Sequence, residues 1–123
     1  MNDVVINKTE SIQRCVKRAR EEYASSSDFS KDYTHQDAAI LNVTRACEQA
    51  IDLANYLIRT KKLGIPKDSG ESFSLLSAAE IIDRGLADKL SKMVGFRNTV
   101  VHQYQRIDIA IVEAVIKHGL DDL

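Results

Sequence analysis

The sequence predicts an all-α, single-domain bundle of about four to five helices, and three observations carry that expectation. Apolar residues recur in steps of three and four along most of the 123-residue chain, the spacing of a helix with one buried face. The chain holds one proline, Pro66, and few glycines, so long stretches contain nothing that breaks a helix. No segment of convincing length alternates apolar and polar residues as a half-buried strand would.

Val5, Ile12, Cys15, Val16 and Ala19 predict a first amphipathic helix over about residues 4–23, with Arg14, Lys17, Arg18 and Arg20 on its wet side. That basic run reads as a solvated face. Residues 24–32, with Ser25, Ser26 and Ser27, read as a loop, and Thr34 followed by Asp37 resembles a capping box with Asp in place of Glu. The second helix is expected over about residues 35–62, where Ile40, Val43, Cys47, Ala50, Ala54 and Leu57 recur without interruption. Its second apolar row, Ala39, Ala46 and Leu53, widens the stripe enough to predict burial on two sides, by the domain core and by a partner subunit. Asn42, Arg45, Glu48, Asp52 and Asn55 fill much of the remaining face; they read as ordinary exposed polar residues, with a site opposite His102 as the alternative.

Residues 64–72, containing Ile65-Pro66 and Ser69-Gly70, read as a surface loop, followed by a short helix over about residues 73–81. Asp83 is expected to cap the next helix, along which Leu86, Leu90, Met93, Val94, Val100 and Val101 recur at helical spacing and which must tolerate Gly85 and Gly95. The missing side chain at Gly95 would let another backbone or a ligand approach closely. Asp108 then caps a last helix over about residues 109–117, with Gly119 marking its end.

A length of 123 residues suits one domain, spanning 1–123, and 44% hydrophobic with 28% charged residues describes a soluble globular protein. No apolar run approaches the roughly 20 residues that cross a bilayer, and the start of the chain lacks a signal-like pattern, so no membrane partner is expected and the cytoplasm is the expected location. Cys15 and Cys47 form no C-x-x-C pair and fall on apolar stripes, which reads as two buried small hydrophobes. A net charge of -1 excludes a protein that coats nucleic acid by bulk electrostatics. Scattered His35, His102 and His118 offer no zinc-ligand spacing, so neither a metal nor another cofactor is expected.

The densest chemistry lies in Arg97-Asn98-Thr99-Val100-Val101-His102-Gln103-Tyr104. About two helical turns carry a permanent cation, an amide, an imidazole and a phenol. Asn98 and His102 are one turn apart, Arg97 and Tyr104 return to one azimuth, and the four fan over one broad sector that can hold a phosphate and move a proton beside it. Taken singly, an Arg or a His near a helix C-terminus is what the macrodipole favours anyway; the whole constellation points to a site.

The string Gly95-Phe96-Arg97-Asn98-Thr99-Val100-Val101-His102-Gln103-Tyr104 resembles the R-N-x-x-x-H-x-Y signature of the HEPN superfamily, specifically its HepT-like toxins. The resemblance extends over nearly the whole chain through Asn42 and Glu48, Leu63-Gly64-Ile65-Pro66, Ser72-Phe73-Ser74-Leu75-Leu76 and Lys92-Met93-Val94. Thr99 and Gln103 are mild departures that leave Arg97, Asn98, His102 and Tyr104 intact.

Those four side chains suit cleavage of RNA without a metal. RNA carries its own nucleophile in the 2′-OH, so an imidazole need only move a proton while a guanidinium offsets the charge developing on the phosphate. DNA lacks that hydroxyl and is not an expected substrate. His102 is the expected general acid or base, Arg97 the phosphate clamp, and Asn98 a supporting residue that either orients His102 or caps a polar group. The resemblance further implies a homodimer with a composite cleft, membership of a toxin–antitoxin pair, and neutralisation by a minimal nucleotidyltransferase antitoxin, MntA, which transfers AMP to the tyrosine at position 104. A second class stays open: a non-catalytic HEPN module that binds nucleotides or scaffolds a nucleotidyltransferase.

Overall fold

The computed structural model describes residues 3–103 and 109–119. Its elements are α1 (Asp3–Ser25), a 3-10 turn (Phe29–Lys31), α2 (Tyr33–Lys61), α3 (Ser69–Ala78), α4 (Arg84–Gln103) and α5 (Ile109–Ala114), which runs on into a π turn (Val115–Gly119). The described residues contain no strand, as the periodicity predicts.

In α1, Ile12 and Ala19 are buried along the face that meets α2. Two of the basic residues opposite them are held by acids of their own helix: Arg18 Nη2 lies 2.7 Å from Glu22 Oε1 and Lys17 Nζ 3.9 Å from Glu21 Oε1. This is the solvated face read from the sequence. Beyond α1 the chain is not a plain loop, because Phe29 turns back into the core and meets Tyr23 edge-on with ring centroids 4.9 Å apart. Gln36 secures that turn by donating from Nε2 to the Phe29 carbonyl at 2.7 Å.

The start of α2 corrects the expected capping box of Thr34 and Asp37. Asp32 is the cap, accepting the His35 N–H at 3.1 Å, and the helix starts at Tyr33. Asp32 prevails because its carboxylate also takes the Ser26 hydroxyl at 2.9 Å and stands 2.6 Å from His35 Nδ1, so one side chain closes the end of α1 onto the start of α2. The far end of α2 stops where Lys62 adopts a left-handed conformation, φ 55°, and Gly64, at φ 129°, turns the chain away.

The following loop is shorter than the sequence suggests. Ser69 and Gly70 belong to α3, whose cap is Asp68 accepting the Glu71 N–H at 2.8 Å; a small polar pair that reads as a turn is equally at home in a capped first turn. Ser72 is correspondingly buried, donating to Asn55 Oδ1 at 2.6 Å. The helix then ends at Ala78 rather than Ile81, because Glu80 turns left-handed at φ 62°. Asp83 caps α4 as predicted, accepting the Leu86 N–H at 2.7 Å.

Two apolar clusters are strung along α2. The N-terminal half of α2, through Ile40, Val43 and Cys47, packs with Ala19, Phe29, Met93, Val112 and Ile116. The C-terminal half, through Ile51, Ala54 and Ile58, packs with Phe73, Leu76, Ala87, Leu90 and Val94. The order of the partners shows α4 running antiparallel to α2. Ala39 and Ala46, which suggested a second covered side, are buried within the chain itself. The last helix extends past the expected end as a wider turn through Gly119, and its expected cap, Asp108, lies outside the described residues.

Candidate functional site

The signature run falls on the C-terminal half of α4, which packs on both α2 and α3. Leu90, Met93 and Val94 anchor it in both clusters, and Phe96 and Val100 continue the buried side toward its end. At about 100° per residue, Arg97 follows Leu90, Met93 and Val94 on that inward stripe, whereas Asn98 turns away from it. The burial agrees: Arg97 is half-buried and Asn98 exposed.

The expected single sector is therefore split in its surroundings. Arg97 leaves α4 at the seam with α2, where its Nε is enclosed and has no hydrogen-bond partner. Its charge bears on the thiol of Cys47 across that seam: burial pushes the Cys47 pKa up to about 12, and the guanidinium acts in the opposite sense. Glu48, adjacent along α2, adds to the rise. Asn98 and Thr99 occupy the open side with Gly95, and Thr99 Oγ1 donates back to the Gly95 carbonyl at 3.0 Å. A Cβ placed on Gly95 would meet nothing within 4 Å, so no described part of the chain uses the approach that this glycine allows. The backbone of His102 continues α4 one turn beyond Asn98; its side chain, and the whole of Tyr104, lie outside the described residues.

Of the polar residues of α2 offered as an opposing wall, three are engaged elsewhere. Asn42 donates to the Ala38 carbonyl at 2.9 Å, Asp52 pairs with Lys8 at 3.3 Å, and Asn55 holds Ser72. Arg45 and Glu48 are exposed. Sequence reading passed over Thr44, a buried residue whose Oγ1 is enclosed and unbonded; its place three residues before Cys47 on the inward side of α2 was the available signal.

Other features of the fold do not compete as reaction centres. An apolar cavity of about 220 Å³ lies between Ile12, Leu53, Leu57, Phe73, Ile82 and Leu86, at the other end of α4, and has no titratable lining. His35, between Asp32 at 2.6 Å and Glu22 at 3.7 Å, ties helix ends together. Among the described residues no group of three or more His, Cys, Asp and Glu could hold a metal ion, and no helix is long and apolar enough to cross a membrane.

A helical bundle with an Arg-Asn pair followed by a His on the end of one packed helix defines the HEPN class. The chain belongs to the HepT-like ribonuclease family, whose pattern it matches over residues 10–123. It is 48% identical over 122 residues to the mRNA nuclease HepT of Shewanella oneidensis, covering 99% of this chain and 92% of that one. The fold matches a toxin–antitoxin crystal structure with AMP-PNP at a TM-score of 0.94 and 46% identity, over 98% of this chain and 92% of that chain. It also matches the tri-AMPylated Shewanella oneidensis HEPN toxin in complex with its MNT antitoxin, at a TM-score of 0.94 and 48% identity, over 99% and 92% of the two chains.

Proposed function

We propose that this chain, as one domain over residues 1–123, is the toxin of a toxin–antitoxin pair: a metal-independent endoribonuclease acting in the cytoplasm. Arg97 clamps the scissile phosphate, His102 moves the proton, and Asn98 supports His102 from one turn away. The observation that carries this reading is the unbroken set Arg97, Asn98, His102 and Tyr104 in a chain 48% identical, nearly end to end, to an mRNA nuclease.

In the proposed reaction the 2′-oxygen of RNA attacks phosphorus and its proton passes to an imidazole. The bond from phosphorus to the 5′-oxygen breaks, and the departing oxygen takes a proton from an imidazolium, leaving a cyclic phosphate and a 5′-hydroxyl. The Arg97 guanidinium, always charged, offsets the charge that builds on the phosphate oxygens. One chain supplies one His102, so two copies related by a two-fold axis give the cleft both a base and an acid. A nucleotidyltransferase antitoxin of the MntA kind neutralises the enzyme by transferring AMP to Tyr104, which sets an anion beside the clamp.

The test is cleavage of labelled RNA by the purified chain, with and without chelator, alongside an otherwise identical DNA. Cleavage of RNA alone, indifferent to chelator and lost in His102→Ala, is the expected result. An inactive wild-type chain that binds nucleotide would favour the non-catalytic module instead.

A further inference from the structure

Over the whole chain 17 Lys and Arg nearly balance 18 Asp and Glu, yet four cations fall close together at the end of α2 and in the loop after it: Arg59, Lys61, Lys62 and Lys67. All four are exposed, and among the described residues none of them is in an ion pair. Lys17 and Arg18 of α1 are by contrast paired with Glu21 and Glu22. Asp68, the first acid after the cluster, is turned to the start of α3, where it accepts the Glu71 N–H.

Helix stability accounts for part of the cluster. Arg59, Lys61 and Lys62 close α2, where the macrodipole favours a cation. It does not account for Lys67, which stands immediately before the Asp68 cap of α3, at a helix end that disfavours positive charge.

The fold carries this segment toward the signature run. A short link, residues 79–83, folds α3 back on α4, so the first turn of α3 points along the C-terminal half of α4, and Ser91 Oγ donates to the Gly70 carbonyl at 3.4 Å. Ser91 and Asn98 are seven residues apart, close to two turns, so they share an azimuth and stand about 10 Å apart along the helix. The backbone of His102 follows one turn further on that ridge. Ser72, bonded to Asn55, fixes the same turn of α3 against α2, about two turns before Lys62. The cations therefore line a path of roughly 20 Å from the end of α2, past the start of α3, toward the Asn98 side of α4.

We propose that Arg59, Lys61, Lys62 and Lys67 hold the phosphates of single-stranded RNA beside the scissile one, so that the substrate runs across the start of α3 to Asn98 and His102. A local row of cations attracts and aligns a strand even where the whole chain carries a net charge of -1. Ile65, 91% exposed among these cations, gives a base an apolar surface to lie on. The path stands on the fold; RNA as its occupant rests on the ribonuclease reading above.

The test uses the full chain carrying His102→Ala, so that bound RNA stays intact, and follows fluorescence anisotropy of a labelled single-stranded RNA over a range of salt concentrations. Arg59→Gln, Lys61→Gln, Lys62→Gln and Lys67→Gln together should weaken binding roughly tenfold at low salt and flatten the plot of log K against log salt by about two to three, since each phosphate contact on a single strand contributes about 0.7. Gln at Arg14, Lys17, Arg18 and Arg20 instead gives the same net charge and should leave most of that slope; circular dichroism shows that each variant is folded. With His102 restored, the path variant should raise KM on the same RNA by roughly tenfold, with the loss confined to long substrates and absent for a dinucleotide. Equal affinity and slope in folded wild type and path variant, or equal losses in the two variants, would overturn the proposal. A path variant that binds RNA as wild type does but no longer joins a nucleotidyltransferase antitoxin would overturn it in favour of a protein-binding surface. Path-dependent RNA binding in a wild-type chain that cleaves no RNA would uphold it and remove the ribonuclease reading instead.

Discussion

The Arg97 guanidinium on α4 acts on the buried Cys47 thiol of α2 against the effect of burial. Burial drives the Cys47 thiol up to about 12, while the guanidinium favours its ionised form. A cation is thus rooted at the edge of an apolar core, with Met93 and Val94 packed just before it on α4. Half-buried Arg97 stands on a packed helix, the kind of base that the proposed phosphate clamp would require.

Cys47 should be inert to alkylation in the folded chain near neutral pH, and half-buried Cys15 should react first. A thiol whose folded value lies above its unfolded one keeps its proton longer in the native state. The stability it contributes is therefore full below about 9 and is lost as pH rises toward about 12. Thiol labelling with and without denaturant checks the first statement. A steepening loss of thermal stability above pH ~9, reduced in Cys47→Ala, checks the second.

Asp32 contributes to the pH dependence on the acid side. Its carboxyl is held below the usual 3.8 chiefly by the His35 N–H, with help from the Ser26 hydroxyl and the charge of His35. A lowered folded value means that its contribution is present above pH ~4 and disappears as pH falls through the depressed value. Asp32→Asn should keep the cap and flatten the acid limb, whereas Asp32→Ala should lose stability at every pH. Melting curves between acid and neutral pH distinguish the two; coincident curves for wild type and Asp32→Asn would remove the carboxylate from the account.

Periodicity reached most of the fold because α1, α2 and α4 each bury one continuous stripe, and a stripe is visible in sequence. It failed where short polar residues admit two uses. Asp32 and Thr34 can both cap, and the hydrogen bond from Ser26, before the turn, adds to the cap bond from the His35 N–H in favour of Asp32. Ser69-Gly70 can end a loop or start a helix. At the site, the spacing put Arg97 and Asn98 on one helix but could not show that Arg97 would lie in a seam and Asn98 outside it, because that follows from where α2 packs. Thr44 escaped notice for the same reason.

Arg97→Ala and His102→Ala should each strongly reduce RNA cleavage while the helical signal and melting behaviour persist. The expected losses are roughly 10²–10³-fold for the clamp and 10²–10⁴-fold for the proton-transfer group. Arg97→Lys should recover little, since an ammonium cannot grip two phosphate oxygens in one plane. Quantified cleavage of one labelled RNA by folded variants decides the matter, and substantial activity in both alanine variants would exclude the mechanism.

Gly95 offers a test of assembly. Among the described residues nothing lies where its Cβ would be, so Gly95→Ala should stabilise α4 by about 0.5–1 kcal/mol through helix propensity. If two copies bring their α4 helices together beside Asn98, the same methyl group intrudes between them. Gly95→Ala should then melt higher as a chain yet dissociate more readily, as read by sedimentation over a range of concentrations. A strict monomer in wild type that still cleaves RNA would show that one motif suffices.

The last expectation concerns Tyr104. It follows Arg97 by seven residues, close to two turns, so on a helix the phenol would return to the azimuth of the guanidinium. An adenylate attached there adds an anion where RNA phosphate must bind, and the clamp is then occupied from within its own chain. Co-expression with a nucleotidyltransferase antitoxin should add mass to the chain in AMP-sized steps, localised to Tyr104 by peptide mass spectrometry, with cleavage lost in proportion. Tyr104→Phe should escape modification and stay toxic beside the antitoxin, apart from any loss caused by the missing hydroxyl itself. Neutralisation of the wild-type chain with Tyr104 left unmodified would instead mean that the antitoxin acts by covering the cleft.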